Sequence, residues 1–147
     1  MKNITARQNS GDDGNTPDEL YNSLDRVYPF DFDPCPSQSE FDGLRLTWGG
    51  ANFINPPYSR KLKEAFVIKA LEESRRGKLC VLLLPVSTST ALFHDVIKPN
   101  AKSIEFLRGR IKFEQRDADG VFRAHGCGQH DSMIVVFDGR DGTKKAP

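Results

Sequence analysis

The run LCVLLLP, Leu79 to Pro85, leaves this chain the least freedom. It is far too short for a membrane span, and it has none of the polar alternation of a strand with one wet face. It is expected to be a central parallel strand covered on both faces. Just before it, SRKLKEAFVIKALEESRRG predicts a helix, with Leu62, Ala65, Phe66, Ile68 and Leu71 facing inward and Gly77 as its stop signal. Before that helix, ANFIN predicts another strand, ended by PPY. Strand, helix, strand makes a parallel crossover unit.

The flanking segments extend this α/β pattern. TPDELYNSLDRVY predicts a helix with Thr16 as N-cap, Pro17 in the first helical position, Asp18 and Glu19 in the first turn, and Leu20, Leu24 and Val27 as its apolar stripe. YPFDFD predicts a short strand running into the turn DPCPSQ. STSTALFHDVI predicts a short helix, capped by Ser87, Thr88 or Ser89 and ended before Pro99. SIEFL, GRIKF and SMIVVF are further strand candidates, with a polar loop from Arg116 to Gln129 between the last two. Ligands of open sheets bind beyond the carboxyl ends of the strands, and both DPCP and NPPY are expected there.

With 147 residues, 37% hydrophobic and 28% charged, the chain has length for one core, and so for one site. Residues 1–15 and 139–147 read as polar, flexible tails around a working domain of residues 16–138. No apolar stretch predicts a membrane segment or a signal peptide. Three cysteines, Cys35, Cys80 and Cys127, are too few for a disulfide framework and suit a reducing, cytoplasmic setting. The net charge of +1 hides basic clusters at RKLK, SRRGK and LRGRIKFEQR, which permit a polyanionic partner.

The stretch FINPPYSR poses the chemical question. Asn-Pro is a common turn signal and two prolines end any strand. The same residues can also form a rigid acceptor pair, because each proline holds the residue before it extended. The Asn55 side-chain oxygen and the Pro56 carbonyl would grip the two hydrogens of an amino group conjugated to a ring, beside the face of Tyr58. Such a grip favours the pyramidal nitrogen whose lone pair can attack. Tyr58 could stack on the ring and offer its π face to a cationic sulfonium.

NPPY resembles the catalytic motif of amino methyltransferases that use S-adenosylmethionine. The wider chain, from Thr16 to Phe137, resembles the phage-type DNA N6-adenine methyltransferase family through TPDELYNSL, FDPCP, FDGLRLTW, FINPPYS, VLLLPVSTSTALFH, FLRGRIKF and SMIVVF, in that order. The resemblance implies a compact, truncated Rossmann-like class I methyltransferase sheet of five or six strands, mostly parallel with an antiparallel final strand. It makes Asn55, Pro56, Pro57 and Tyr58 the catalytic residues, with Pro57 shaping the turn. It places Thr16, Pro17, Asp33, Pro34, Cys35 and Asn55 at the cofactor, S-adenosylmethionine. The alternative reading of Thr16, Pro17 and Asp33 is a helix cap and a turn. One departure stands out: the first strand runs into FDPCPS, where most methyltransferases of this fold carry a glycine-rich FxGxG loop.

The implied activity is site-specific methyl transfer to the 6-amino group of adenine in DNA, with the target base flipped out of the duplex. Alternatives are another planar amine, on an RNA base or a protein glutamine, and a non-catalytic DNA-binding protein that keeps the sheet. A phage source, and roles in modification, protection from restriction or regulation, go with the resemblance. Arg108, Arg110 and Lys112 lie two apart and would form one basic face of an extended segment, suited to DNA phosphates or to an ordinary solvated edge. The other basic residues, Lys61, Lys63, Arg75 and Arg76, read as the wet face of the long helix. HGCGQHD carries His125, Cys127, His130 and Asp131 at no standard zinc spacing, and no metal site is expected. His94 reads as a capping or packing residue, Cys35 and Cys80 as turn and core residues, and Trp48 as a packing anchor.

Overall fold

The computed structural model describes residues 16–35, 42–57, 59–111, 114–116, 122–124 and 131–140. Tyr58, Lys112, His125, Cys127, His130, the expected tail 1–15 and residues 141–147 of the other tail lie outside these residues. The architecture is mixed α/β. Its main sheet has four strands, β1 (Ala51–Ile54), β2 (Leu79–Pro85), β3 (Ser103–Phe106) and β6 (Ser132–Asp138), in the order β1-β2-β6-β3. A separate two-stranded sheet pairs β4 (Glu114–Arg116) with β5 (Phe122–Ala124), the latter inside the expected loop from Arg116 to Gln129.

β1 pairs with β2 in parallel, while β6 lies antiparallel between β2 and β3. Three strands therefore share one direction and the last strand opposes them, as expected. Among the described residues the sheet is smaller than the five or six strands expected, for two local reasons. The YPFDFD segment contributes only a single parallel bridge, Phe32 to Asn52, with the Phe53 N–H donating to the Phe32 carbonyl at 3.1 Å. Pro34 follows two residues later and has no N–H to extend that ladder. In the GRIKF segment, Gly109 takes φ 73° and turns the chain, so Arg108–Ile111 is not a strand.

Leu79–Pro85 behaves as the apolar run demanded. Leu79, Val81 and Leu83 point into one layer with Tyr21, Phe30, Phe53, Ile134 and Val136. Cys80, Leu82 and Leu84 point into the other, with Trp48, Phe66, Val67, Ala70 and Phe93. The two-residue period of a strand thus feeds two cores, one under each helical layer. Burial pushes the Cys80 thiol up to about 12, against a smaller opposing effect of the Asn52 amide, so Cys80 is an inert core residue.

Helix α1 (Asp18–Val27) covers the first layer, and its buried residue is Tyr21, whose ring meets Phe53 edge-on at 5.2 Å. The expected stripe is corrected at its end: Leu20 and Leu24 are partly buried, but Val27 is 67% exposed. Thr16 is not the N-cap either. Pro17 holds the cap position, and the Thr16 hydroxyl bonds elsewhere.

Helix α2 (Arg60–Ser74) covers the second layer, with Ser59 capping it by accepting from the Leu62 N–H at 3.3 Å. Its inward face is Phe66, Val67, Ala70, Glu73 and Ser74, while Leu62 and Ile68, expected inside, are exposed. Glu73 draws the helix round. Its fully buried carboxylate lies 2.9 Å from Lys69 Nζ and is bound by Lys78 Nζ, which also donates to the Trp48 carbonyl at 2.8 Å. Burial pushes the Glu73 carboxyl up, but the hydrogen bonds from Lys78 and Lys69 outweigh it and hold the group below its ordinary range.

Beyond β2 the chain forms a π-helical segment, Leu92–Ile97, that runs into a last turn, α3 (Lys98–Asn100). Thr90, rather than Ser87, Thr88 or Ser89, caps it by accepting from the Phe93 N–H at 3.2 Å. The helix does not stop before Pro99. The Lys98 N–H reaches back five residues to the Phe93 carbonyl, and the wide turn admits a proline at the start of α3, where its missing N–H costs nothing. No helix among the described residues is long and apolar enough to cross a membrane.

Candidate active site

The parallel pairing of Phe32, β1 and β2 brings three chain segments out of one end of the sheet. They are Asp33-Pro34-Cys35, Asn55-Pro56-Pro57 and the residues after Pro85. Pro56 is buried, and Asn55 and Pro57 are half-buried. Among the described residues no donor occupies the Pro56 carbonyl.

Asn55 Nδ2 donates to Thr16 Oγ1 at 3.0 Å. The amide is thereby turned so that Oδ1, the acceptor, is on the side away from Thr16. Thr16 is itself 5% exposed, so the bond sits in a largely dry position. The structure therefore joins Thr16 to Asn55, a link across the fold that local sequence patterns could not reveal.

The acidic turn is built with equal economy. Asp33 is 7% exposed, and its Oδ1 accepts from the Cys35 N–H at 2.9 Å, closing a turn at the end of the Phe32 bridge. Cys35 is half-buried beside the second core layer, as a turn residue should be. The turn contains no glycine, but one approaches it from across the site. A Cβ on Gly43 would lie 1.8 Å from the Pro34 carbonyl oxygen, so the FDG segment can pack there only with glycine. The Trp48 indole N–H donates to the Gly43 carbonyl at 2.8 Å, and Trp48 stacks on Phe66 of α2 at 6.4 Å. Trp48 is thus the anchor expected of it.

Asn52, which the sequence reading passed over, is fully buried inside β1. Its amide accepts from the Gly49 N–H at 3.0 Å and donates to the carbonyls of Gly49 and Leu79 at 2.9 and 3.0 Å. A buried amide costs stability unless such partners are met. Here they tie the Trp48 loop to the strand that carries Asn55. The only available signal was an asparagine at an inward strand position.

His94 is exposed, and its Nε2 lies 2.6 Å from the Thr88 carbonyl, which pins the STST loop. Arg108 and Arg110 are both exposed. Arg110 lies 3.3 Å from Asp131, and the bend at Gly109 separates the two arginines from the straight basic face expected. Among the described residues no three His, Cys, Asp or Glu side chains converge as a metal site.

The family model described as DNA N-6-adenine-methyltransferase (Dam) matches residues 3–143. The chain belongs to this family. A comparison with curated proteins gave no match. Family membership bears out the resemblance drawn from the seven segments.

Proposed function

We propose that this Dam-family protein transfers a methyl group from S-adenosylmethionine to the 6-amino group of adenine at specific sites in DNA. The observation that carries the reading is Asn55, set at the end of β1 by two prolines and oriented by Thr16 beside the acidic Asp33 turn. The strand order, with one antiparallel strand inserted beside parallel ones, supports a truncated Rossmann-like class I methyltransferase sheet.

The residues at the sheet end fit the cofactor. A nearly buried carboxylate, Asp33, suits the ribose hydroxyls or the methionine ammonium, with Thr16, Pro17, Pro34 and Cys35 walling the same end. S-adenosylmethionine supplies the electrophilic methyl when bound. The chain supplies position: Asn55 Oδ1 and the Pro56 carbonyl accept the two amine hydrogens and hold the nitrogen lone pair forward. Pro57 stiffens the turn and Tyr58 stacks on the base. Acceptors fixed before reaction stabilise the charge that develops on the amine without reorganising, and this is where the rate enhancement arises.

A base within a duplex cannot reach this turn, so the adenine must be flipped out, at about a few kcal/mol for unstacking. Arg108, Arg110 and Lys112 are assigned to the phosphates that offset this cost. Calorimetry with S-adenosylhomocysteine tests the reading: binding that Asp33→Ala weakens supports it, and no binding with or without DNA contradicts it.

A further inference from the structure

A cavity of about 470 Å³ opens between the first turns of α2 and the loop that follows β2. Its volume is in the range of small-molecule sites, which run from about 300 to 1,000 Å³. The floor is apolar: Leu84, Phe93, Ile97 and Met133, all from the second core layer. The rim is polar and carries two cations, Arg60 and Lys63, against one carboxylate, Glu64. The Ser87 and Ser89 hydroxyls stand on the facing wall.

That wall is fixed in place. The Thr90 hydroxyl donates to the Ser87 carbonyl at 3.0 Å, His94 holds the Thr88 carbonyl, and the Val86 N–H donates to the Asp131 carbonyl at 2.8 Å. On the rim Arg60 pairs with Glu64 at 3.4 Å, but with the Arg60 side chain 88% exposed the pair is weak and the guanidinium can be recruited by a stronger anion. Lys63 makes no ion pair among the described residues. An apolar slot under two cations and two hydroxyls matches a flat ring that carries a phosphate.

Asn55 and Pro56 do not line this cavity, so the amine they grip is not its occupant. Arg60 nevertheless follows Asn55 by only five residues. We infer that the cavity receives one nucleotide of the DNA strand next to the target adenine, with its base on the Leu84–Phe93 floor and its phosphate on Arg60 and Lys63. The inference rests on the proposed methylation of DNA, and it gives the basic start of α2 a role that the sequence reading assigned to a wet face.

Thymidine 5′-monophosphate is a suitable probe because thymine has no exocyclic amine to compete for Asn55. Amide NMR shifts on titration should move at Arg60, Lys63, Ser87 and Ser89, and thymidine without phosphate should bind about tenfold more weakly, as expected when the charged contact is lost. Ala91→Trp, an exposed substitution at the cavity wall, should abolish the shifts without touching the core. In methyl transfer, Lys63→Ala should raise KM for DNA, leave kcat at saturating DNA unchanged and reduce the salt slope of DNA binding by about one. Shifts absent from these amides, an unchanged KM, or S-adenosylmethionine itself mapping to this cavity would overturn the inference. Thymidine monophosphate bound here by a protein that methylates no DNA would overturn the methylation reading and leave the nucleotide site standing.

Discussion

Asn55 Nδ2 and Thr16 Oγ1 meet at 3.0 Å across 39 residues of sequence. In this arrangement the amide nitrogen of Asn55 faces Thr16 and its oxygen is turned the other way. The amine of adenine needs an acceptor, and the Thr16 contact leaves Oδ1 for it. Under the proposed function Thr16 is a positioning residue, acting through Asn55. Thr16→Val keeps the volume and removes the hydroxyl, so kcat should fall about 10- to 100-fold, the effect of losing roughly 1–3 kcal/mol of orientation. Thr16→Ser should restore most of the rate, while the melting temperature of both variants stays close to wild type. Equal losses for Val and Ser would argue for a packing role only.

Gly43 touches the Pro34 carbonyl so closely that even a methyl group must displace backbone. Gly43→Ala should therefore destabilise the protein by about 1–3 kcal/mol in urea unfolding, the usual cost of overpacking. Because the strain falls on the Asp33 turn, S-adenosylhomocysteine affinity should fall as well, which calorimetry would register. A variant with unaltered stability and affinity would mean that the FDG segment does not support the turn.

How much of this was legible in the sequence differs from segment to segment. LCVLLLP announced a buried central strand because an unbroken apolar run has only that solution in a layered α/β fold. The helix from Ser59, the Gly77 stop and the NPP turn were equally readable, since each is set by local backbone chemistry. The inward face of α2 was not. Glu73 is a buried anion, and only the arrival of Lys69 and of Lys78, beyond the helix end, makes that burial tolerable. The Thr16–Asn55 bond and the Gly43 approach to Pro34 were likewise hidden, because each joins residues that only the folded chain brings together. At Gly109–Ile111 the alternating pattern suggests a strand, but the glycine at φ 73° turns the chain there.

The Glu73 cluster carries a stability prediction. Removing the carboxylate leaves Lys69 and Lys78, both with side chains 17% exposed, without their counterion. Glu73→Ala should cost about 3 kcal/mol in urea unfolding, in line with breaking one side of a buried pair. Trp48 fluorescence should report loosening of its loop, since Lys78 also holds the Trp48 carbonyl and Lys69 sits 5.9 Å over its ring. A loss below about 0.5 kcal/mol, the scale of exposed pairs, would refute this role.

Asp138 at the end of β6 gives a pH dependence. The Arg140 side chain, outweighing burial and aided by its own backbone N–H and by Lys102, holds the carboxyl at about 2, down from 3.8. A lowered carboxylate stabilises the folded state above its unfolded value, and that stability disappears as pH falls from about 4 to about 2. The contribution is about 1–2 kcal/mol at most, because Arg140 and Lys102 are partly exposed. Asp138→Asn should flatten the acid limb of the stability curve across this window, and an unchanged limb would exclude the linkage.

The central claim is that Asn55 grips the adenine amine for methylation. Its most direct measurement is transfer of radiolabelled methyl from S-adenosylmethionine to unmethylated DNA, followed by nucleoside analysis, with Asn55→Ala beside the wild type. The account predicts N6-methyladenine from the wild type and a loss of roughly 100-fold or more in the variant, the scale for removing one transition-state acceptor. Label found only in RNA or protein, or equal N6-methyladenine from both proteins, would contradict it.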